Sequence, residues 1–254
     1  EGQEAMDSMR LTFVFTGVWW ILFSQYSFYL LPKGNKKNQK VTSAVFFNGF
    51  RELVKVKKQL FENLVLKRYL IAFFVYSMAV QTVMLVATYF GEQEINWPTS
   101  EGKTMGLIIS ILVIQLVAVL GAIITSRASA KFGNIPTLIV INIIWAVICV
   151  VAYFVTEPIH FYITAGFVGL VMGGIQALSR STYFKFLPKT DDAASYFSFY
   201  DVSEKIGIVI GMGLYGLIDQ LTGSMRNSIV FLTLFFVGGV LLLIRVPKKT
   251  ISEE

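Results

Sequence analysis

One cysteine, Cys149, and one histidine, His160, are all that the 254 residues contain of these two metal-binding types. A single cysteine excludes an intrachain disulfide framework, and a single histidine excludes a multi-histidine metal site. Charge is scarce as well. Asp, Glu, Lys and Arg together make up 15%, against roughly 25% in soluble domains. Also absent are G-x-S-x-G, H-E-x-x-H, a P-loop and paired cysteines, the spacings that carry common enzyme and metal chemistry. The basic residues are not interleaved with aromatics as on a nucleic-acid surface. The expectation is therefore no enzyme, no cofactor, no metal and no nucleic-acid partner.

Apolar residues fill the space, at 55% of the chain with a mean hydropathy of +0.64. They come in seven blocks: 11–31, 69–90, 104–125, 137–155, 159–179, 202–219 and 228–245. Most approach the ~20 residues that cross a bilayer core of about 30 Å. A backbone in lipid must satisfy its own hydrogen bonds, so each block is expected to be a helix. The predicted fold class is all-α integral membrane, with seven transmembrane helices. The block 202–219 is the weakest, because Asp201, Glu204 and Lys205 dilute its start. The first block is longer than the apolar core of a secretory signal, and its stronger positive flank follows it. It is expected to stay in the protein. The chain begins at Glu1 rather than Met, which reads as a piece of something longer.

Lys and Arg set the orientation. With the segment after Leu31 cytoplasmic, the inner loops hold 19 of the 22 basic residues, and only Arg10, Lys103 and Arg226 lie outside. This predicts an outer N-terminus and a cytoplasmic C-terminus. The chain divides into a span at 1–31, a basic linker at 32–68, a helical bundle at 69–246 and a tail at 247–254. Within the linker Phe46, Phe47, Phe50, Leu53, Val54, Leu60 and Phe61 fall on one helical face. Arg51, Lys55 and Lys58 fall on another. That pattern fits an amphipathic helix lying on an anionic leaflet, or a solvated basic linker.

Polar residues inside the blocks are informative because lipid makes them costly. They are Gln81, Gln115, Asn142, Gln176 and Arg180, with Tyr76 about a turn from Gln81. Each amide can glue helices together or contact a solute. Arg180 either anchors a helix end, bonded to Asp201 or Glu204, or forms part of an inner gate. No carboxylate is expected in the middle of a span. Gly211-Met-Gly213-Leu-Tyr-Gly216 matches G-x-G-x-x-G, but without a preceding strand it reads as helix packing, as do Gly169/Gly173 and Gly207/Gly211. Residues 126–136 are expected to form an inner hairpin, and Thr156-Glu-Pro158 an outer turn.

Gly173-Gly174-Ile-Gln176-Ala-Leu-Ser179-Arg180-Ser181, then Pro188, Tyr196-Phe-Ser-Phe-Tyr200, Lys205 and Thr222-Gly-Ser224 with Arg226 resemble the major facilitator superfamily of transporters. More narrowly they resemble its vacuole-effluxer-like branch. Ser126-Arg-Ala-Ser-Ala130-Lys131-Phe-Gly133-Asn is similar to that superfamily's inner-loop motif, with Ser126 and Ala130 in place of its first glycine and its aspartate. Ser198 and Met212 stand where the branch usually has glycine and proline.

The resemblance implies spans six to twelve of a twelve-span protein, six of them forming one half-bundle. It implies transport of small solutes, amino acids among them, by alternating access in a bacterial inner (plasma) membrane. The partners would be the lipid bilayer, a small-molecule substrate and the N-terminal half of the same transporter. Tyr76, Gln81, Gln115 and Gln176 would line the substrate pathway. Arg180, Tyr200, Asp201, Glu204 and Lys205 would form the cytoplasmic gate, and Asn142 would serve packing. The competing reading is a non-transporting membrane scaffold whose amides only join helices.

Overall fold

A computed structural model describes residues 2–31, 44–188 and 193–247. The linker residues 32–43, residues 189–192 and the tail beyond 247 lie outside the described residues. So do the side chains of Phe46 and Phe47. The described residues form eight helices and no strand: α1 (Gly2–Leu30), α2 (Ala44–Glu62), α3 (Leu64–Glu94), α4 (Ser100–Phe132), α5 (Asn134–Ala152), α6 (Pro158–Phe186), α7 (Ala193–Thr222) and α8 (Met225–Ile244). Six of them combine the length and apolarity to cross a membrane: α1 from Met6, then α3, α4, α5, α6 and α8. The protein is an all-α membrane protein. The sixth expected span, 202–219, is not among these six, and Asp201, Glu204 and Lys205 stand at its start. It nonetheless lies within one unbroken 30-residue helix, about 45 Å long.

Two compact units make up the chain, Glu1–Val45 and Phe46–Glu254. In the first, α1 buries none of its apolar window against protein. Its hydroxyls turn back on their own helix: Thr12 Oγ1 donates to the Ser8 carbonyl, Thr16 to Thr12, Ser24 to Trp20 and Ser27 to Phe23. A polar side chain satisfied this way needs no partner in lipid.

The second unit is a bundle in which α3 packs on α7 and α8, α5 on α6 and α8, and α4 chiefly on α6. Part of the core lies where α5 meets α8. There Trp145 stacks on Phe236 at 5.6 Å, and Leu138, Leu232 and Leu243 are fully enclosed. Asn142 is also fully buried in α5 and donates to the Leu138 carbonyl of its own helix.

Small residues set the α4–α6 spacing. A Cβ on Gly169 or Gly173 would stand 2.6 Å from the carbonyl oxygen of Ile114 or Ala118, and one on Gly121 would collide with the Leu170 backbone. Backbone therefore lies on backbone, as small-residue interfaces in membranes allow. The same test divides the G-x-G-x-x-G match. Gly211 fits close to Thr82 and Met78 on α3, whereas Gly213 and Gly216 face open space on α7.

Several helices outrun their apolar blocks, and this corrects two expectations. The hairpin expected over 126–136 is a turn of one residue. α4 continues to Phe132, Gly133 turns the chain at φ 89°, and α5 starts at Asn134. Only glycine adopts such a φ readily. At the other end of the bundle, Thr156–Pro158 turns into α6 with Pro158 in its first turn, where proline's missing N–H costs nothing. The helix expected in the basic linker is α2. It does not rest its whole apolar face on lipid, because Val56 and Leu60 are fully buried in the bundle core. The Tyr196 hydroxyl also donates to Gln59 Oε1 at 3.0 Å. Next to it Asn63 caps α3, accepting from the N–H groups of Val65 and Leu66, so the bundle begins several residues before 69.

Candidate functional site

Three helices, α3, α6 and α7, leave a cavity of about 450 Å³ between them. From α3 come Phe73, Tyr76, Ser77, Val80 and Gln81; from α6, Gln176, Ser179 and Arg180; from α7, Tyr200, Glu204 and Lys205. The periodicity explains the set. Residues 73, 76, 77, 80 and 81 of α3 share one helical face, as do 200 and 204 of α7.

Its floor is made of tyrosines. Tyr69 donates to the Ser179 carbonyl at 2.6 Å, and the Tyr76 hydroxyl pairs with Ser179 Oγ at 2.7 Å. Tyr200 stacks on Phe73 at 4.2 Å and lies 5.0 Å from the Tyr183 ring. These rings are buried, and their hydroxyl bonds tie α3 to α6 with little room to shift.

The walls carry mixed charge. Gln81 Nε2 donates to Glu204 Oε1 at 2.5 Å, joining α3 to α7. Arg180 pairs with Asp201 at 2.9 Å while its guanidinium lies 5.6 Å over the Tyr200 ring. Half the surface of both Arg180 and Asp201 is exposed, so water screens the pair and its contribution to stability is small. Gln176 Nε2 reaches only Met84 Sδ, at 3.3 Å. Thioether sulfur is a weak acceptor, which leaves this amide available. Lys205 lines the cavity with no ion-pair partner among the described residues. The cavity thus offers two cations, a carboxylate, two amides and aromatic faces. Among the described residues no group of three or more His, Cys, Asp or Glu could hold a metal ion.

Tyr76, Gln81, Gln176, Arg180, Tyr200, Glu204 and Lys205 come together here. Asp201 stands beside them, held by Arg180. Gln115 does not join. It is exposed on α4, whose buried positions are only Gly106, Ser110, Gly121 and Thr125. Position 115 is turned well away from that narrow stripe. Glu204 stands near the start of the apolar block 202–219, as its sequence position implies, but the helix extends beyond that block. α7 starts at Ala193, nine residues before its apolar block, so Glu204 is the twelfth of its 30 residues. Sequence reading also missed Ser179, whose backbone and side chain both receive tyrosines. Ser179 follows Gln176 by three residues in the stretch singled out, which was the available signal.

A second ionic centre closes the opposite end of the bundle. Arg226, at the start of α8, pairs with Glu94 of α3 at 2.7 Å, both largely buried. It also donates to the carbonyls of Glu94, Tyr153 and Val155, and its guanidinium lies 5.5 Å from the Phe90 ring. One side chain satisfies carbonyls left open where α3 and α5 end.

Known proteins resemble the chain along nearly all of it. An MFS-type transporter of Bacillus subtilis (strain 168), YxiO, itself uncharacterised, is 31% identical over 248 residues. That match covers 96% of this chain and 55% of the relative. Autophagy-related protein 22 of Eremothecium gossypii is 24% identical over 263 residues, covering 93% and 49%. The protein of the same name from Kluyveromyces lactis is 25% identical over 252 residues, covering 91% and 50%. The chain spans about half the length of the curated relatives it matches. The family described as "Vacuole effluxer Atg22 like" matches residues 1–254. Helices fit for a membrane and a match from one terminus to the other agree: the chain belongs to the vacuole effluxer Atg22-like family of transporter-like membrane proteins.

Proposed function

We propose that the chain is the C-terminal half of a secondary transporter that moves small zwitterionic solutes, amino acids foremost, by alternating access. The observation that carries this reading is the α3–α6–α7 cavity, where Arg180, Lys205 and Glu204 stand with Gln81 and Gln176. A solute carboxylate would meet Lys205 and Arg180. An ammonium group would meet Glu204 and the face of Tyr200. Transporter substrates bind where two repeats meet near mid-membrane, so α3, α6 and α7 would supply one half's share of such a site.

The N-terminal half would seat on the open face of α4, where Leu112, Leu116 and Val119 are exposed, and Gln115 would reach the pathway only across that contact. α1 would be the last span of that half. The Lys/Arg bias supports a cytoplasmic C-terminus and an outer N-terminus in a plasma membrane. In that orientation Arg180, Tyr200, Asp201, Glu204 and Lys205 form the inner gate, and the Arg226 clamp lies outside. Non-enzymatic solute movement agrees with the transporter names of the relatives.

Full-length protein in liposomes tests this with a panel of radiolabelled amino acids. Gln176→Ala and Arg180→Ala are expected to cut flux about tenfold or more, the effect of losing one charged or hydrogen-bonded contact, with folding unchanged. Equal flux by wild type and both variants overturns the site. Absence of any solute movement by the wild type favours a scaffold that only joins helices.

A further inference from the structure

The helix α2 leaves part of its apolar stripe without protein to cover it. Positions 50, 53, 54, 57 and 61 recur at helical spacing and line a groove of about 530 Å³ against Ile71 and Phe74 of α3 and Val202 and Ile206 of α7. Val56 and Leu60, on the neighbouring face, anchor the helix in the core. The groove is open: Phe50 is 70% exposed and Val54 53%. It is also separate from the solute cavity. Phe74 follows cavity residue Phe73, and Val202 and Ile206 are each two residues from Tyr200 and Glu204. Two residues turn a helix by about 200°, which puts the groove on the opposite side of α7. Its size falls within the roughly 300–1,000 Å³ of small-ligand sites.

Charge says what kind of occupant fits. No carboxylate lines the groove, and Lys57 does. The Phe61 ring at its rim carries two ammonium groups, Lys57 at 5.9 Å and Lys67 at 5.7 Å from the centroid. Arg68, next in sequence, reaches the Arg245 carbonyl at 2.8 Å and brings a third cation to this end of the bundle. An apolar slot with a basic rim, at the level where α3 begins, suits a molecule with an acyl tail and an anionic head.

We propose that this groove binds an anionic phospholipid of the leaflet facing α2, its tail between α2, α3 and α7 and its phosphate at Lys57 and Lys67. The site goes beyond solute transport and needs no transport to be detected, so its failure and the failure of the transport reading are separable. The occupied groove would hold α2 against α7, one wall of the solute cavity.

The test places full-length protein in phosphatidylcholine vesicles. These are doped with either phosphatidylglycerol or phosphatidylcholine carrying a photoreactive group in its tail, and the labelled peptides are identified by mass spectrometry. Phosphatidylglycerol is expected to label the α2, α3 and α7 groove peptides about tenfold more than phosphatidylcholine does, the scale of two lysines at a membrane surface. Lys57→Glu with Lys67→Glu should equalise the two probes. Val202→Trp, which fills the slot, should remove groove labelling by both while labelling of α4 persists. Should the tryptophan variant not yield monodisperse protein, Ile71→Phe replaces it, with the same expectation. Equal labelling by the two headgroups in wild type, or groove labelling that survives a filled slot, overturns the proposal.

Discussion

Arg180 and Arg226 both pair with a carboxylate on another helix, and the two pairs lie at opposite ends of the same bundle. Their settings differ. Arg226 shows 16% of its side-chain surface and Glu94 24%, whereas Arg180 and Asp201 show 56% and 52%. Arg226 also satisfies three backbone carbonyls, while Arg180 donates to Asp201 and lies over the Tyr200 ring. An ion pair largely removed from water, and built into helix ends, holds structure. One left in a wet cavity is weak enough to exchange partners. One end is locked into helix termini and the other is left to water, although both are arginine–carboxylate bonds of nearly equal length.

The largest expected effect breaks the locked end. Arg226→Met leaves Glu94 and the carbonyls of Tyr153 and Val155 unmatched. It should lower stability by about 3 kcal/mol, the scale for removing one partner of a buried pair, read as an earlier thermal transition in detergent. Next in size, Gly173→Leu forces a side chain into the Ala118 backbone and should cost about 1–3 kcal/mol, as overpacking does. Gly213→Leu, placed in open space, serves as the matched control and should unfold with the wild type.

A double-mutant cycle sharpens the comparison directly. Coupling between Arg226 and Glu94 should exceed about 1.5 kcal/mol, and that between Arg180 and Asp201 should stay under about 1 kcal/mol. Equal couplings would erase the distinction drawn here. The smallest stability effect belongs to Glu204→Gln. It keeps the shape and removes the charge that accepts from Gln81, so its transition should shift by about 0.5 kcal/mol or less while transport in liposomes falls.

Helical membrane character was legible because apolar blocks of the right length have few alternatives in lipid. Boundaries were not. Charged residues ended the apolar runs at Ser179 and began the next at 202, yet the helices run to Phe186 and from Ala193, since a helix persists into water wherever its side chains find partners. Tyr183, donating to the Tyr196 carbonyl, is such a partner.

Of the candidate site, Gln81, Gln176 and Arg180 stood out as polar residues in greasy surroundings. Gln115 stood out for the same reason and lies elsewhere, because sequence gives no azimuth for a helix apolar on every side. Ser179 lay inside the motif but was not picked as a site residue, since a serine in a helix ordinarily bonds its own backbone. The role of Arg226 needed three chain ends brought to one point, which no local pattern encodes.

The small-residue seam between α4 and α6 bears on how the protein is made. α4 leaves the ribosome before α5 and two helices before its main partner, so it must wait in the bilayer alone. It is the most apolar of the candidate spans and among the least buried, a composition able to wait. α7 is too polar for the same vigil, and it emerges only after α3 is already in place to receive Glu204.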